Sequence, residues 1–208
     1  MQNQPSERAR RAREKRRKQL LDAATTVFAR RGYWAASISD IIQVADVARG
    51  SFYRYFQSKQ EIFVAIVEQF REQERLLVEQ LDELTQFREG ENFEKRVRVG
   101  ILSWLQLYHR NLPAAKIVLQ EANMIDPSAA RKREDLRRAV RAALVRMILR
   151  RQEAGLYHRR ISPELTAHFL LGMFDEIAAN CLSKAKQTDL PSLAEQFVEF
   201  ELNGLLLR

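Results

Sequence analysis

Between Ser37 and Lys59 the chain gathers side chains that can grip a polyanion. Arg49 carries a planar fork of donors that can meet both acceptors of a guanine edge. Gly50, with no side chain, lets the backbone approach a base or a phosphate closely. Tyr53, Arg54 and Tyr55 end in donors that can reach phosphate oxygens. Lys59 stands where a following helix begins, and its ammonium and the amides there can hold another phosphate. Ser51 adds a hydroxyl beside Arg49, and Ser37 and Ser39 add two more upstream. Phe52 and Phe56, interleaved with these groups, read as core. The chemistry on offer is recognition of a duplex.

Two short helices must position these groups. Ser37 and Asp40 have the spacing of a capping box, which starts a helix at Ile38. Ile38, Ile41, Ile42 and Ala45 recur at helical spacing and make one apolar face. Asp46 can end the helix because a short polar side chain tolerates a left-handed backbone. Val47 plugs the turn, and a second helix is expected over Arg49 to Phe56. This is a helix-turn-helix, whose second helix enters the major groove with its N-terminal end toward the bases.

Over Leu20 to Phe63 the chain resembles the DNA-binding domain of TetR (tetracycline-repressor-like, TetR/AcrR) transcriptional regulators. Ser37, Ile38, Ile41, Ala45, Val47, Gly50, Phe52, Tyr53, Tyr55, Phe56, Ser58, Lys59 and Ile62 match that family's pattern in place. Ala36, Ile42, Asp46 and Ala48 depart from it. Ala48 matters most, since the recognition helix loses its usual hydroxyl cap, at a cost of about 1 kcal/mol. The resemblance implies an all-α protein. An N-terminal three-helix DNA-binding domain would precede a C-terminal helical domain for ligand binding and dimerisation.

Composition agrees with that class. The chain has 208 residues, 46% hydrophobic, with only 7 Gly and 5 Pro. No long stretch alternates with period two, so helices are expected throughout. The one Cys cannot form an internal disulfide, which suits a reducing cytoplasm. No signal peptide and no apolar run of about 18 residues is present, so a soluble cytoplasmic protein is expected. His109, His158, His168 and Cys181 show no metal-ligand spacing. No phosphate-binding loop, nucleophile elbow or zinc-protease motif occurs. No enzyme activity, cofactor or metal is therefore expected.

Charge is unevenly placed. Residues 1–60 hold 13 Lys+Arg against 5 Asp+Glu, and the other 148 residues hold 22 of each. The whole excess of +8 lies around the helix-turn-helix, which favours a polyanionic partner. Glu7 to Lys18 alone holds eight cations and two acids. This basic arm can stay solvated, pack along phosphates, or dip into the minor groove, where clustered Arg is favoured. It has no apolar face for a membrane surface.

Three regions result: an arm over 1–18, the DNA-binding domain over 19–60 and the ligand-binding and dimerisation domain over 61–208. The first helix continues from the arm through Leu20 to Arg31, with Gly32 as its stop and Tyr33 and Trp34 packing under the turn. Ser58 should cap a long helix to Leu84 that joins the head to the rest. Further helices are expected over Phe93–Arg110, Leu112–Met124, Ser128–Glu153, Ser162–Lys186 and from a Ser192 cap to Leu206. The last two are apolar on two faces, which predicts a homodimer through a four-helix bundle; Phe197 and Leu205 are expected in the interface, with Gly172 and Gly204 allowing close approach.

By the resemblance, a small-molecule pocket should open in the C-terminal domain. Its candidate lining is Trp104, Tyr108, Met147, Phe174, Ile177 and Cys181, with Glu121, Asn123 and Asn180 as polar anchors. These residues also read as ordinary core. A largely apolar or aromatic effector is the expectation. The function expected is a dimeric, ligand-responsive repressor released from a palindromic operator. The alternative is a DNA-binding structural or interaction protein with no small-molecule inducer. A pocket of at least about 300 Å³ would favour the first, and a filled core the second.

Overall fold

The computed structural model describes residues 7–84, 92–120, 122–125, 127–177 and 189–205, and they are overwhelmingly helical. Helix α1 (Glu7–Ala35) takes in the described part of the basic arm, Glu7 to Lys18. Its buried stripe begins only at Leu20 and runs through Ala24, Val27 and Phe28. Gly32 breaks the helical run at φ 74°, a value that glycine adopts without Cβ strain. Tyr33 then turns inward, 5.6 Å from the Phe28 ring and 5.0 Å from Phe63. Trp34, expected under the turn, is instead 72% exposed, because the break sends consecutive side chains to opposite sides.

Helix α2 (Ile38–Ala45) starts on the expected capping box. The Asp40 amide donates to Ser37 Oγ at 3.1 Å, and the Ser37 amide donates to Asp40 Oδ2 at 2.9 Å. Asp46 ends it in the left-handed region at φ 48°. Helix α3 (Arg49–Tyr53) is shorter than the Arg49–Phe56 expected. Ala48 supplies no side-chain cap, and the chain leaves through a turn in which the Tyr55 and Phe56 amides both donate to the Phe52 carbonyl. Helix α4 (Lys59–Leu84) begins where Ser58 Oγ accepts from the Glu61 amide at 3.0 Å. Its 26 residues span about 39 Å.

The remaining elements are α5 (Phe93–Arg110), α6 (Leu112–Gln120), α7 (Ala122–Ile125), α8 (Pro127–Glu153), α9 (Pro163–Glu176) and α10 (Leu190–Leu205). The described residues of the helix expected over Leu112–Met124 are helical, and Glu121 between α6 and α7 lies outside them. Asn92 caps α5 and Ser162 caps α9, with Pro163 inside the first turn. Gly155 follows α8 at φ 71°. The cap of α10 is Asp189, whose Oδ1 accepts from the Ser192 amide at 3.2 Å, three residues before the Ser192 cap expected. The expected run of α9 on to Lys186 lies outside the described residues.

Two apolar clusters hold these helices. One joins α1–α4 to α6 and to Tyr108, around Phe28, Phe52, Phe56, Phe63 and Phe70. The other joins α5, α8, α9 and α10 around Leu105, Ile148, Tyr157 and Phe197. Each fully buried Phe or Leu contributes about 1.5–3 kcal/mol. Helix α4 also packs on α5, α6 and α8, so the long helix ties the head to the rest.

Candidate nucleic-acid interface and cavity

In the head, burial sorts the residues singled out from the sequence. Arg49, Gly50, Tyr53 and Arg54 are exposed, Ser51 and Tyr55 are half-buried, and Phe52 and Phe56 are core. The Arg49 guanidinium lies 5.9 Å from the Tyr53 ring centroid, which groups the two at the free face of α3. An added Cβ at Gly50 would meet nothing within 4 Å, so the backbone there is open to a close approach. Ser39 is exposed on the first turn of α2.

Ser37 and Lys59 are engaged within the protein. Ser37 Oγ donates to Asp40 Oδ2 at 2.7 Å, and Arg31 pairs with Asp40 Oδ1 at 2.7 Å, tying α1 to α2. These Ser37 hydrogen bonds, with Arg31 adding to them, hold the Asp40 carboxyl below its ordinary 3.8. Lys59 Nζ donates to the Tyr33 and Ala36 carbonyls, each at 2.8 Å, and lies 4.3 Å from the Tyr33 ring centroid. The phosphate contact expected of this ammonium would have to compete with these carbonyls at the end of α1. The backbone amides at the start of α4 remain for an anion there.

A cavity of about 130 Å³ opens between α4, α5, α8 and α9. Trp104, Tyr108, Met147 and Phe174 line it as expected. The Trp104 and Tyr108 rings stack at 4.2 Å, and Trp104 lies 4.3 Å from Phe174. Ile177 packs between the two apolar clusters and is not part of the lining. Cys181, Glu121 and Asn180 lie outside the described residues, as does the side chain of Asn123.

Apart from Tyr108, the cavity's polar groups escaped sequence reasoning. The Tyr108 hydroxyl donates to Glu74 on α4, and Arg137 on α8 pairs with Asp175 on α9. Deeper in, Arg151 Nη1 lies 3.0 Å from Glu201 Oε1 and 2.6 Å from the Tyr157 hydroxyl, which donates to Glu201 at 2.5 Å. Burial, then the charge of Glu201, pushes the Tyr157 hydroxyl well above its ordinary value. These partners sit 34 to 50 residues apart in the chain, apart from Arg151 and Tyr157, so no local pattern marks them.

Phe197 does not lie where the dimer expectation put it. It is buried and stacks on Phe174 at 4.6 Å, so it belongs to the core. The exposed large side chains of α9 and α10 are Leu165 at 58%, Phe169 at 66% and Phe200 at 66%. The Leu205 side chain lies outside the described residues. Also among the described residues, no helix is long and apolar enough to cross a membrane, and no three His, Cys, Asp or Glu could hold a metal ion together.

Comparison with known proteins decides the family. The model for bacterial regulatory proteins of the tetR family matches residues 20–66. The uncharacterized HTH-type transcriptional regulator YdgC of Bacillus subtilis (strain 168) is 30% identical over 190 residues, covering 91% of this chain and 92% of YdgC. The chain belongs to the TetR family. Solved structures of TetR-like regulators share the fold. A tetR-family regulatory protein from Rhodococcus RHA1 superposes with TM-score 0.77 at 19% identity, over 93% of this chain and 98% of that one. FadR from Bacillus subtilis, solved in complex with stearoyl-CoA, superposes with TM-score 0.69 at 21% identity, over 90% and 98%. This TetR-family protein is therefore a DNA-binding transcriptional regulator with an N-terminal helix-turn-helix and a C-terminal helical domain.

Proposed function

We propose that this TetR-family regulator is a homodimeric repressor, not an enzyme, that binds a palindromic operator and leaves it when a small, largely apolar molecule enters the cavity. The observation that carries this reading is the position of the cavity. Glu74, Leu77 and Val78 of α4 form one wall, and α4 runs straight into the DNA-binding head. Arg49, Gly50, Ser51, Tyr53, Arg54 and Tyr55 would face the operator, with Ser39 beside them. Trp104, Tyr108, Met147 and Phe174 would face the effector.

At about 130 Å³ the cavity is smaller than the roughly 300 Å³ typical of a ligand pocket. An effector must therefore part the helices as it enters, and α4 is one of those that would move. The two recognition helices of a dimer must sit about 34 Å apart, or a multiple, to enter successive major grooves. A ligand that prefers the parted arrangement shifts the population away from that spacing. The stearoyl-CoA of FadR supports an acyl chain as the apolar group.

The small volume also favours the second reading, a DNA-bound interaction protein with no inducer. The deciding experiment selects an operator from random-sequence DNA, then titrates saturated acyl-CoAs of increasing chain length into the complex. Release of DNA, strongest at one chain length and weakened by Trp104→Ala, is the expected result. An operator complex untouched by every chain length, with no thermal stabilisation of the free protein, would reject acyl-chain induction.

A further inference from the structure

The densest charge in the molecule lies outside both sites, on the first three turns of α1. Glu7 to Lys18 is helical, exposed at every residue and carries eight cations against two acids. Glu7 pairs with Arg11 and Glu14 approaches Arg10, while Arg8, Arg13, Lys15 and Lys18 make no ion pair among the described residues. Like charges one turn apart repel, and a short helix without a packed face is marginal in water. The segment adds no buried side chain to the head, whose stripe on α1 begins at Leu20.

The root of the arm is fastened beside the DNA-reading elements. Gln19 Nε2 donates to the Ala45 carbonyl at 2.6 Å, at the end of α2 where the turn toward Arg49 begins. The Arg17 guanidinium lies 5.3 Å from the Phe56 ring centroid, just beyond α3. Arg16 donates to Gln19 at 2.9 Å. A helix held at two points next to α2 and α3 leaves the head in a set direction.

We propose that this arm is a helical strap that lies against the phosphate backbone of duplex DNA flanking the half-site read by α3, a role that rests on the operator-binding reading above. Its twelve residues span about 18 Å, half of the roughly 34 Å turn of the duplex. Along one strand that distance carries on the order of five phosphates. A helix with its side chains is about 10–12 Å across, and the minor groove is only about 6 Å wide. The helix itself is thus too wide to enter the minor groove, the option left open from sequence alone. The strap adds affinity without reading bases, and it cancels the repulsion among its own cations.

The test compares the wild-type protein with a variant carrying Arg8→Gln, Arg13→Gln, Lys15→Gln and Lys18→Gln. Binding to random-sequence duplexes of about 40 bp is measured across a salt series, with thermal melts to check the fold. Each lost phosphate contact should flatten the log–log slope by about 0.9, so the loss of four contacts should flatten it by about 3.6 units per arm. Affinity near 0.15 M salt should fall at least about tenfold. Flanks rich in A·T or in G·C should bind the wild-type protein equally. Superimposed salt lines for the two proteins would overturn the strap while leaving the regulator reading intact. A clear preference for A·T-rich flanks would also overturn it, by placing the arm in the minor groove. A wild-type protein that binds no duplex at all would sink both readings together.

Discussion

Arg49 and Lys59 show how two cations ten residues apart come to different duties. Arg49 is exposed at the start of α3, 5.9 Å from the Tyr53 ring centroid, with its donors free to meet a base edge. Arg49→Ala should cost about 1–3 kcal/mol of operator binding and relax sequence preference. Equal losses on operator and random DNA would make Arg49 a phosphate contact. Lys59 has its ammonium bonded to the Tyr33 and Ala36 carbonyls. Hydrogen bonds from a charged donor contribute about 1.5–3 kcal/mol. Lys59→Ala should therefore lower folding stability by about that amount in denaturant unfolding. The salt slope of DNA binding should stay unchanged; a flatter slope with full stability would restore the phosphate role.

At the scale of one helix, α2 depends on its first turn. Asp40 joins Ser37 and Arg31 and is held below its ordinary value, so the deprotonated form is the one that supports the fold. Its contribution is complete above the ordinary value of 3.8 and is lost as pH falls through the depressed one. Asp40→Asn should melt below the wild-type protein near neutral pH, and the gap should close in acid as pH falls below the ordinary value of 3.8 and through the depressed one. A gap of constant size across that range would show that the carboxylate charge is irrelevant to the cap. Helix α3 has no side-chain cap, because Ala48 stands where an oxygen could accept from its first amides. Ala48→Ser should accordingly stabilise the head by about 0.5–1 kcal/mol, visible as a raised melting temperature, unless its hydroxyl fails to reach those amides.

Across the whole molecule, α9 and α10 carry the surface that has no use in a lone chain. Leu165, Phe169 and Phe200 stand well exposed, and a Cβ added at Gly172 or Gly204 would meet nothing within 4 Å. Under the dimer reading this face meets its copy. Phe169→Glu with Phe200→Glu should give a folded monomer by solution mass, with operator affinity lost because two heads no longer bind as one. Phe197→Glu should behave differently: it places a charge in the core against Phe174 and should unfold the C-terminal domain. A wild-type monomer that bound its operator tightly would end the dimer reading.

Local chemistry was legible in the chain itself. The capping box at Ser37, the left-handed Asp46, the Ser58 and Ser162 caps and the stop at Gly155 all act within a few residues, so spacing alone determines them. The stripe of α1 and the buried stripe of α4 at Ile62, Phe63, Ile66, Val67 and Phe70 follow from periodicity in the same way. Direction in space did not follow. Trp34 faces out while Tyr33 faces in, Lys59 turns back on α1, and Phe197 faces the core while Phe200 faces out. Each choice depends on which helix stands opposite, and residues far along the chain decide that. The cavity is the clearest case. Trp104 and Phe174 could be named because aromatic side chains favour burial, but the Tyr108–Glu74 and Arg137–Asp175 pairs exist only where four helices cross. A charged residue on a helix looks solvated until packing brings its partner to it.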